Sequence, residues 1–172
     1  AIDAKPIEKI KNKSEFFFIE LYREVLRQLQ SIEIKNCPFH SEKNFRLAES
    51  RFLLDQDLLD EIDFDDVDTE VWQAFQSHEQ LWNYLAQQDF QEDLVFSHGD
   101  ITDTNIFLDE KERIYFLDVG RAGIADRFVD IAFVERSLRE DCSNLAAQTF
   151  LKSLPQDNTF KRDFYLKLDE LN

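Results

Sequence analysis

A chain of 172 residues, 43% hydrophobic and with 17 phenylalanines, can bury one sizeable core, as a single domain or as one lobe of a larger protein. Its formal net charge of −16 repels phosphate backbones, which excludes a nucleic-acid partner, while a field of that sign would steer in a cationic ligand. No apolar run approaches the ~20 residues needed to span a bilayer, and the opening AIDAKPIEKIKNK has no signal-peptide stretch, so the expected setting is soluble, cytoplasmic and away from membranes.

In chain order, Lys13 to Ile32 places Phe17, Phe18, Leu21, Val25, Leu26 and Leu29 at helical spacing, with Ser14 as N-cap. Cys37, like the distant Cys142, has no metal-ligand spacing around it, and both are expected to be free thiols, one or both buried. Pro38 sits in a loop, and Asn44 to Leu54 reads as a second helix. Residues 55 to 70, DQDLLDEIDFDDVDTE, hold nine acidic residues and no basic one. They fail as a calcium loop, because a frame starting at Asp63 puts Val67 at position five, lacks the glycine and puts Ala74 at position twelve. A solvated acidic loop or the wall of a cation site remains. Val71 to Gln87 is expected to be one helix with Trp72, Phe75, Leu81, Trp82 and Leu85 on its buried side. Asn105 to Leu108 and Ile114 to Leu117, separated by DEKER, predict a hairpin, the one clear sheet. Asp126 to Glu140 is helical, with Asp126 as cap and Phe128, Ile131, Ala132, Val134 and Leu138 facing inward, followed by helices over Leu145 to Leu154 and Lys161 to Leu171.

The chemistry gathers between two apolar runs, in SHGDITDTN at 97 to 105. A polar loop feeding a hairpin is held rigidly while its groups stay exposed. Asp100 is a candidate base, Asn105 follows five residues later, and Asp118-Val119-Gly120 comes at the far end of the second strand. The hairpin should bring Asn105 and Asp118 together as an amide oxygen and a carboxylate, a hard-oxygen pair suited to Mg²⁺, with Gly120 allowing a sharp turn after the ligand. H-G-D-x4-N, a hairpin and D-x-G together follow the logic of kinase phosphoryl transfer. The plainer alternative has Asp100 and Asp118 capping turns; His98 is a structural hydrogen-bonder in either case. His40 and His78 show no ligand pattern.

VFSHGDITDTNIF, then FLDVGRAGIADRFVDIAFVERSLRED and the terminal KLDELN, resemble the aminoglycoside 3′-phosphotransferases, bacterial resistance kinases of protein-kinase-like fold. The likeness covers nearly the whole chain and is strongest from Leu94 to Asp141 and at the C-terminus. It implies a fold that is mainly α with a small β-hairpin, the C-terminal lobe of that architecture, over residues 1–172. It implies that Asp100 orients or deprotonates the attacking sugar hydroxyl, that Asn105 and Asp118 hold Mg²⁺, and that Asp103 and Thr104 lie where drug or phosphate is contacted. Arg121 would border the drug pocket, lined by Glu70, Arg136, Glu140, Asp141, Asp169 and Glu170. The terminal carboxylate of Asn172 would also bind drug, although some relatives end in Phe there; Leu117 would lie beneath adenine, and Asp130 would support the catalytic loop.

The implied cofactors are Mg²⁺ and ATP, with GTP as an alternative, and the implied substrate is a polycationic aminoglycoside. Kinases for choline, homoserine or macrolides share the HGD-x4-N and DxG core, but RSLRED and LDELN favour aminoglycosides. A non-catalytic, drug-binding truncation product is a further alternative. The only glycines are 99, 120 and 123, so there is no glycine-rich phosphate loop, and the opening residues resemble the segment just after the hinge between lobes. The expectation is therefore a C-terminal lobe without its nucleotide lobe, inactive alone and able to self-associate through the exposed lobe interface.

Overall fold

The computed structural model describes residues 3–10, 13–62, 69–72 and 74–171, with the side chains of 69 and 70 excepted. The Glu70 side chain, Asn172 and the 63–68 part of the acidic run lie outside the described residues. The described chain is mainly helical with small antiparallel sheets, as expected.

Helix α1 (Glu15–Gln30) starts at Ser14, whose side chain accepts the Phe17 N–H at 3.3 Å. Leu21, Val25, Leu26 and Leu29 are buried, while Phe17 and Phe18 pack at the rim of the core. Helix α2 (Lys43–Asp55) buries Lys43, Arg46, Leu47 and Ser50. The single helix expected over Val71 to Gln87 is instead two, α3 (Thr69–Trp72) and α4 (His78–Ala86). The break is a cap: Ser77 accepts the Gln80 N–H at 3.3 Å, and the Gln80 side chain reaches back to the Gln76 N–H at 2.9 Å.

Helix α5 (Phe128–Asp141) is the axis of the fold, packed against α1, α6 (Asn144–Ser153) and α7 (Thr159–Asp169). Being surrounded, it buries Val129 and Phe133 as well as the five predicted positions. Its start differs from the expectation. Asp126 is the last residue of a strand, and it takes the Phe128 N–H at 3.1 Å from just outside the helix.

The predicted hairpin is β3 (Ile106–Asp109) and β4 (Ile114–Phe116), paired Ile106 to Phe116 and Leu108 to Ile114. Strand β1 (Ala4–Pro6) lies antiparallel on the other edge of β3. A second sheet pairs β2 (Leu94–Ser97) with β5 (Gly123–Asp126), Ser97 facing Gly123. Its edge is extended by the Phe39–Ser41 segment through Ile124 N–H to Phe39 O and Ser41 N–H to Ile124 O, both 2.9 Å. Two sheets therefore grip the 97–105 segment, one at each end. Cys37 and Cys142 are free and half-buried. Among the described residues, no helix is long and apolar enough to cross a membrane.

A buried ion pair locks α7 to β5: Lys161 Nζ lies 2.6 Å from Asp126 Oδ2, the two side chains 9% and 0% exposed. Removing one partner strands the other charge. Lys161→Met is expected to lower the unfolding free energy by about 3–5 kcal/mol, and urea unfolding followed by tryptophan fluorescence would show it; a loss below about 1 kcal/mol would mean the pair is solvated.

Candidate active site

The loop from Ser97 to Asn105 is positioned from its backbone outward. Asp130, on the first turn of α5, is 1% exposed, and its two carboxylate oxygens each accept one amide proton at 3.0 Å, from His98 and Gly99. Burial pushes the Asp130 carboxyl above the usual range, and those amides pull it back toward ionisation. His98, fully buried, donates Nε2 to the Leu117 carbonyl at 2.9 Å, so the loop is stitched to the end of β4. Ile101 anchors the other side in the core.

Gly99 has φ +83°, and a Cβ there would lie 2.5 Å from the Arg121 carbonyl oxygen. The loop therefore packs backbone to backbone against the Asp118–Arg121 turn, which only glycine permits. The turn expected at Gly120 is a 3-10 turn over Val119–Arg121, and it is Asp118, at φ 51° and ψ 57°, that takes the left-handed conformation leading into it; a Cβ on Gly120 would make only ordinary contact with Asp118 Oδ1, at 3.8 Å. Aspartate is among the few residues that enter the left-handed region at modest cost.

The hairpin brings the predicted pair together. Asn105 O accepts the Leu117 N–H at 2.9 Å, which places Asp118 one residue beyond the residue facing Asn105. The Asn105 side-chain nitrogen donates to the Asp100 carbonyl and to Asp100 Oδ2, both at 3.0 Å. Its amide oxygen is thereby turned away from Asp100, and both Asp100 and Asn105 remain half-buried at the surface. Among the described residues no three His, Cys, Asp or Glu side chains form a metal cluster. One amide and one carboxylate fit an ion that takes its remaining ligands from phosphate and water, as Mg²⁺ does.

The predicted pocket residues fall into two groups. Arg121 and Arg136 bracket Asp169 at 3.4 and 3.0 Å, and Glu170 accepts the Trp72 indole N–H at 2.9 Å. Asp169 and Glu170, with Asp60 and Glu61, line a cavity of about 260 Å³. Asp103 and Asp141 line a second, of about 270 Å³, with Glu8 and Tyr22. Partial burial raises the Asp103 carboxyl, helped by Glu8; burial, then Asp103 and Glu140, raise that of Asp141. Glu140 itself is exposed, Thr104 shares a 2.8 Å hydroxyl contact with Thr102, and Leu117 is 48% exposed.

Three residues near these groups are not singled out by the sequence. Asp60 and Glu61 were left within an undivided acidic run. Arg46 donates Nη2 to the Gly99 carbonyl at 3.1 Å and is 1% exposed. A charged residue beside Leu47 on the inward face of α2 was the available signal.

Residues 18–159 match the phosphotransferase enzyme family. The chain is 54% identical over its full length to an aminoglycoside 3′-phosphotransferase of Acinetobacter baumannii, of which it spans 66%. It is 40% identical over 158 residues to one of Enterococcus faecalis, covering 89% of this chain and 58% of that protein. The chain thus spans about six-tenths to two-thirds of the length of these relatives. The crystal structure of aminoglycoside-3′-phosphotransferase of type VIII superposes with a TM-score of 0.83 at 25% identity, over 100% of this chain and 67% of that one. A choline kinase from Streptococcus pneumoniae shares the fold, with a TM-score of 0.59 at 17% identity, over 98% of this chain and 56% of that one. With the family match spanning residues 18–159, which take in the whole 97–121 segment and helices α2 to α6, this chain belongs to the phosphotransferase enzyme family.

Proposed function

We propose that this chain is the acceptor- and metal-binding lobe of an aminoglycoside 3′-phosphotransferase, moving the γ-phosphoryl group of ATP to a sugar 3′-hydroxyl. The observation that carries the reading is the hairpin junction, where Asn105 holds Asp100 through its side chain and Leu117, the residue before Asp118, through its backbone. The names of the 54% and 40% identical relatives supply the substrate class. A related structure determined with ADP and streptomycin supports nucleotide use on this fold.

In this reading Asp100 accepts the hydrogen bond of the attacking hydroxyl and takes its proton as the new O–P bond forms and the bond to the nucleoside diphosphate breaks. Asn105 keeps the Asp100 carboxylate aimed. Asn105 Oδ1 and the Asp118 carboxylate would hold Mg²⁺, which supplies charge neutralisation for the triphosphate. Leu117 offers an exposed apolar surface under the adenine. Asp60, Glu61, Asp169 and Glu170 in one cavity, and Asp103 and Asp141 in the other, would meet the ammonium groups of the drug, with Glu70, Glu140, Thr104, Arg121, Arg136 and the Asn172 carboxylate also assigned to substrate. The lysine and glycine-rich loop that grip a triphosphate would come from outside these 172 residues, so the isolated chain binds drug without turning it over.

Calorimetric titration of the chain with kanamycin is expected to give saturable binding that weakens with salt; no heat at millimolar drug would reject the substrate assignment. The pH response has a definite sign. Asp103 and Asp141 sit above their ordinary value of 3.8, so as pH falls they lose charge before a free carboxylate does, and drug affinity should begin to drop above that value. Their contribution to folding runs the other way, fully present below pH 3.8 and lost as pH rises through the raised values. Joined to the amino-terminal third of the Acinetobacter relative, the chain should phosphorylate kanamycin, and Asp100→Asn should cut kcat by at least ~10²-fold with kanamycin affinity retained. Gly99→Ala forces a left-handed alanine into a backbone carbonyl; a thermal-melt loss equivalent to about 2–4 kcal/mol is expected.

A further inference from the structure

Arg46 is an expensive residue to keep where it is. The residue is 1% exposed, its Nε has no hydrogen-bond partner among the described residues, and Nη2 donates to the Gly99 carbonyl at 3.1 Å. Burial, and then the neighbouring Arg121, pull its pKa below the ordinary arginine value, while Asp169, Asp130 and Glu49 oppose that. An arginine stays protonated even so, and an incompletely bonded buried cation is a poor stabiliser compared with an apolar side chain of similar volume. Stability alone gives no reason for arginine here.

What the guanidinium holds does give one. Gly99 N–H is fixed by Asp130, and Gly99 C=O by Arg46, so the two residues act on the two peptide groups that flank Gly99. The carbonyl belongs to the peptide that leads directly into Asp100. Because Gly99 has φ +83° and no side chain, its conformation has no steric brake of its own. The Arg46 guanidinium, bonded to that carbonyl at 3.1 Å, is placed to limit its rotation.

We propose that Arg46 is a positioning residue for Asp100, acting through the Gly99 carbonyl; this deepens the reading of Asp100 as the base and rests on it.

The test uses the 172-residue chain, by amide exchange and isotope-edited NMR. In Arg46→Met, exchange at Gly99 should accelerate about tenfold more than at Val134 in the middle of α5. The Asp100 carboxyl ¹³C resonance and the Asn105 side-chain amide should shift as well. Phe150→Leu, a core change remote from the loop, serves as the control and should speed both amides by one common factor with no shift at Asp100. If Arg46→Met does not fold, Arg46→Gln carries the comparison with the same expected signs. Equal acceleration at Gly99 and Val134, or an Asp100 resonance that stays in place, would overturn the proposal. No phosphoryl transfer is measured, so a failed functional assignment and a failed role for Arg46 give separate results.

Discussion

A carboxylate with 1% exposure accepts two consecutive amide protons, from His98 and Gly99, and thereby sets where the 97–105 loop leaves β2. Asp130 stands on the first turn of α5, the helix packed on several sides by the rest of the core. The loop inherits the rigidity of that helix. From there each contact passes the position along: His98 to the Leu117 carbonyl, Gly99 to the back of Arg121, Asn105 to Asp100. A site assembled from half-buried side chains can keep its geometry in this way because its backbone is held from beneath.

The same logic explains why the polar run sits between apolar ones. Val95 and Ile106 are buried strand residues on either side, belonging to different sheets. The segment between them has to cross from one sheet to the other. It does so with Ile101 buried beneath and its polar groups turned outward or onto Asp130. Loops of this kind offer chemistry because their ends cannot drift.

Much of this was legible in the chain. The hairpin followed from two short β-rich runs around DEKER, and with it the meeting of Asn105 and the Asp118 segment, which needs only the period and direction of a two-strand ribbon. Helices α1 and α2 followed from apolar spacing and, for α1, Ser14. The β2–β5 sheet was not legible, since its strands are distant in sequence and β5, Gly-Ile-Ala-Asp, carries no strand propensity to speak of. The split between α3 and α4 was written in Ser77 and Gln80 but masked by continuous apolar spacing. The turn after Asp118 follows from Gly120, but the left-handed conformation of Asp118 itself carries no sequence signal, since it is set by the contacts of the turn. Arg46 is told from a surface arginine only by its place beside Leu47, a weak signal because charged residues surround Leu47 on both sides in α2.

The bracket of Arg121 and Arg136 around Asp169, with Arg46 beyond it, sets three cations beside that carboxylate in a chain whose total charge is −16, while Asp60, Glu61 and Glu170 line the same cavity as Asp169. Screening limits bare fields to roughly 8 Å at physiological ionic strength. A cation drawn toward the molecule as a whole is therefore sorted, at close range, by the local mixture of carboxylates and guanidinium groups and not by the total.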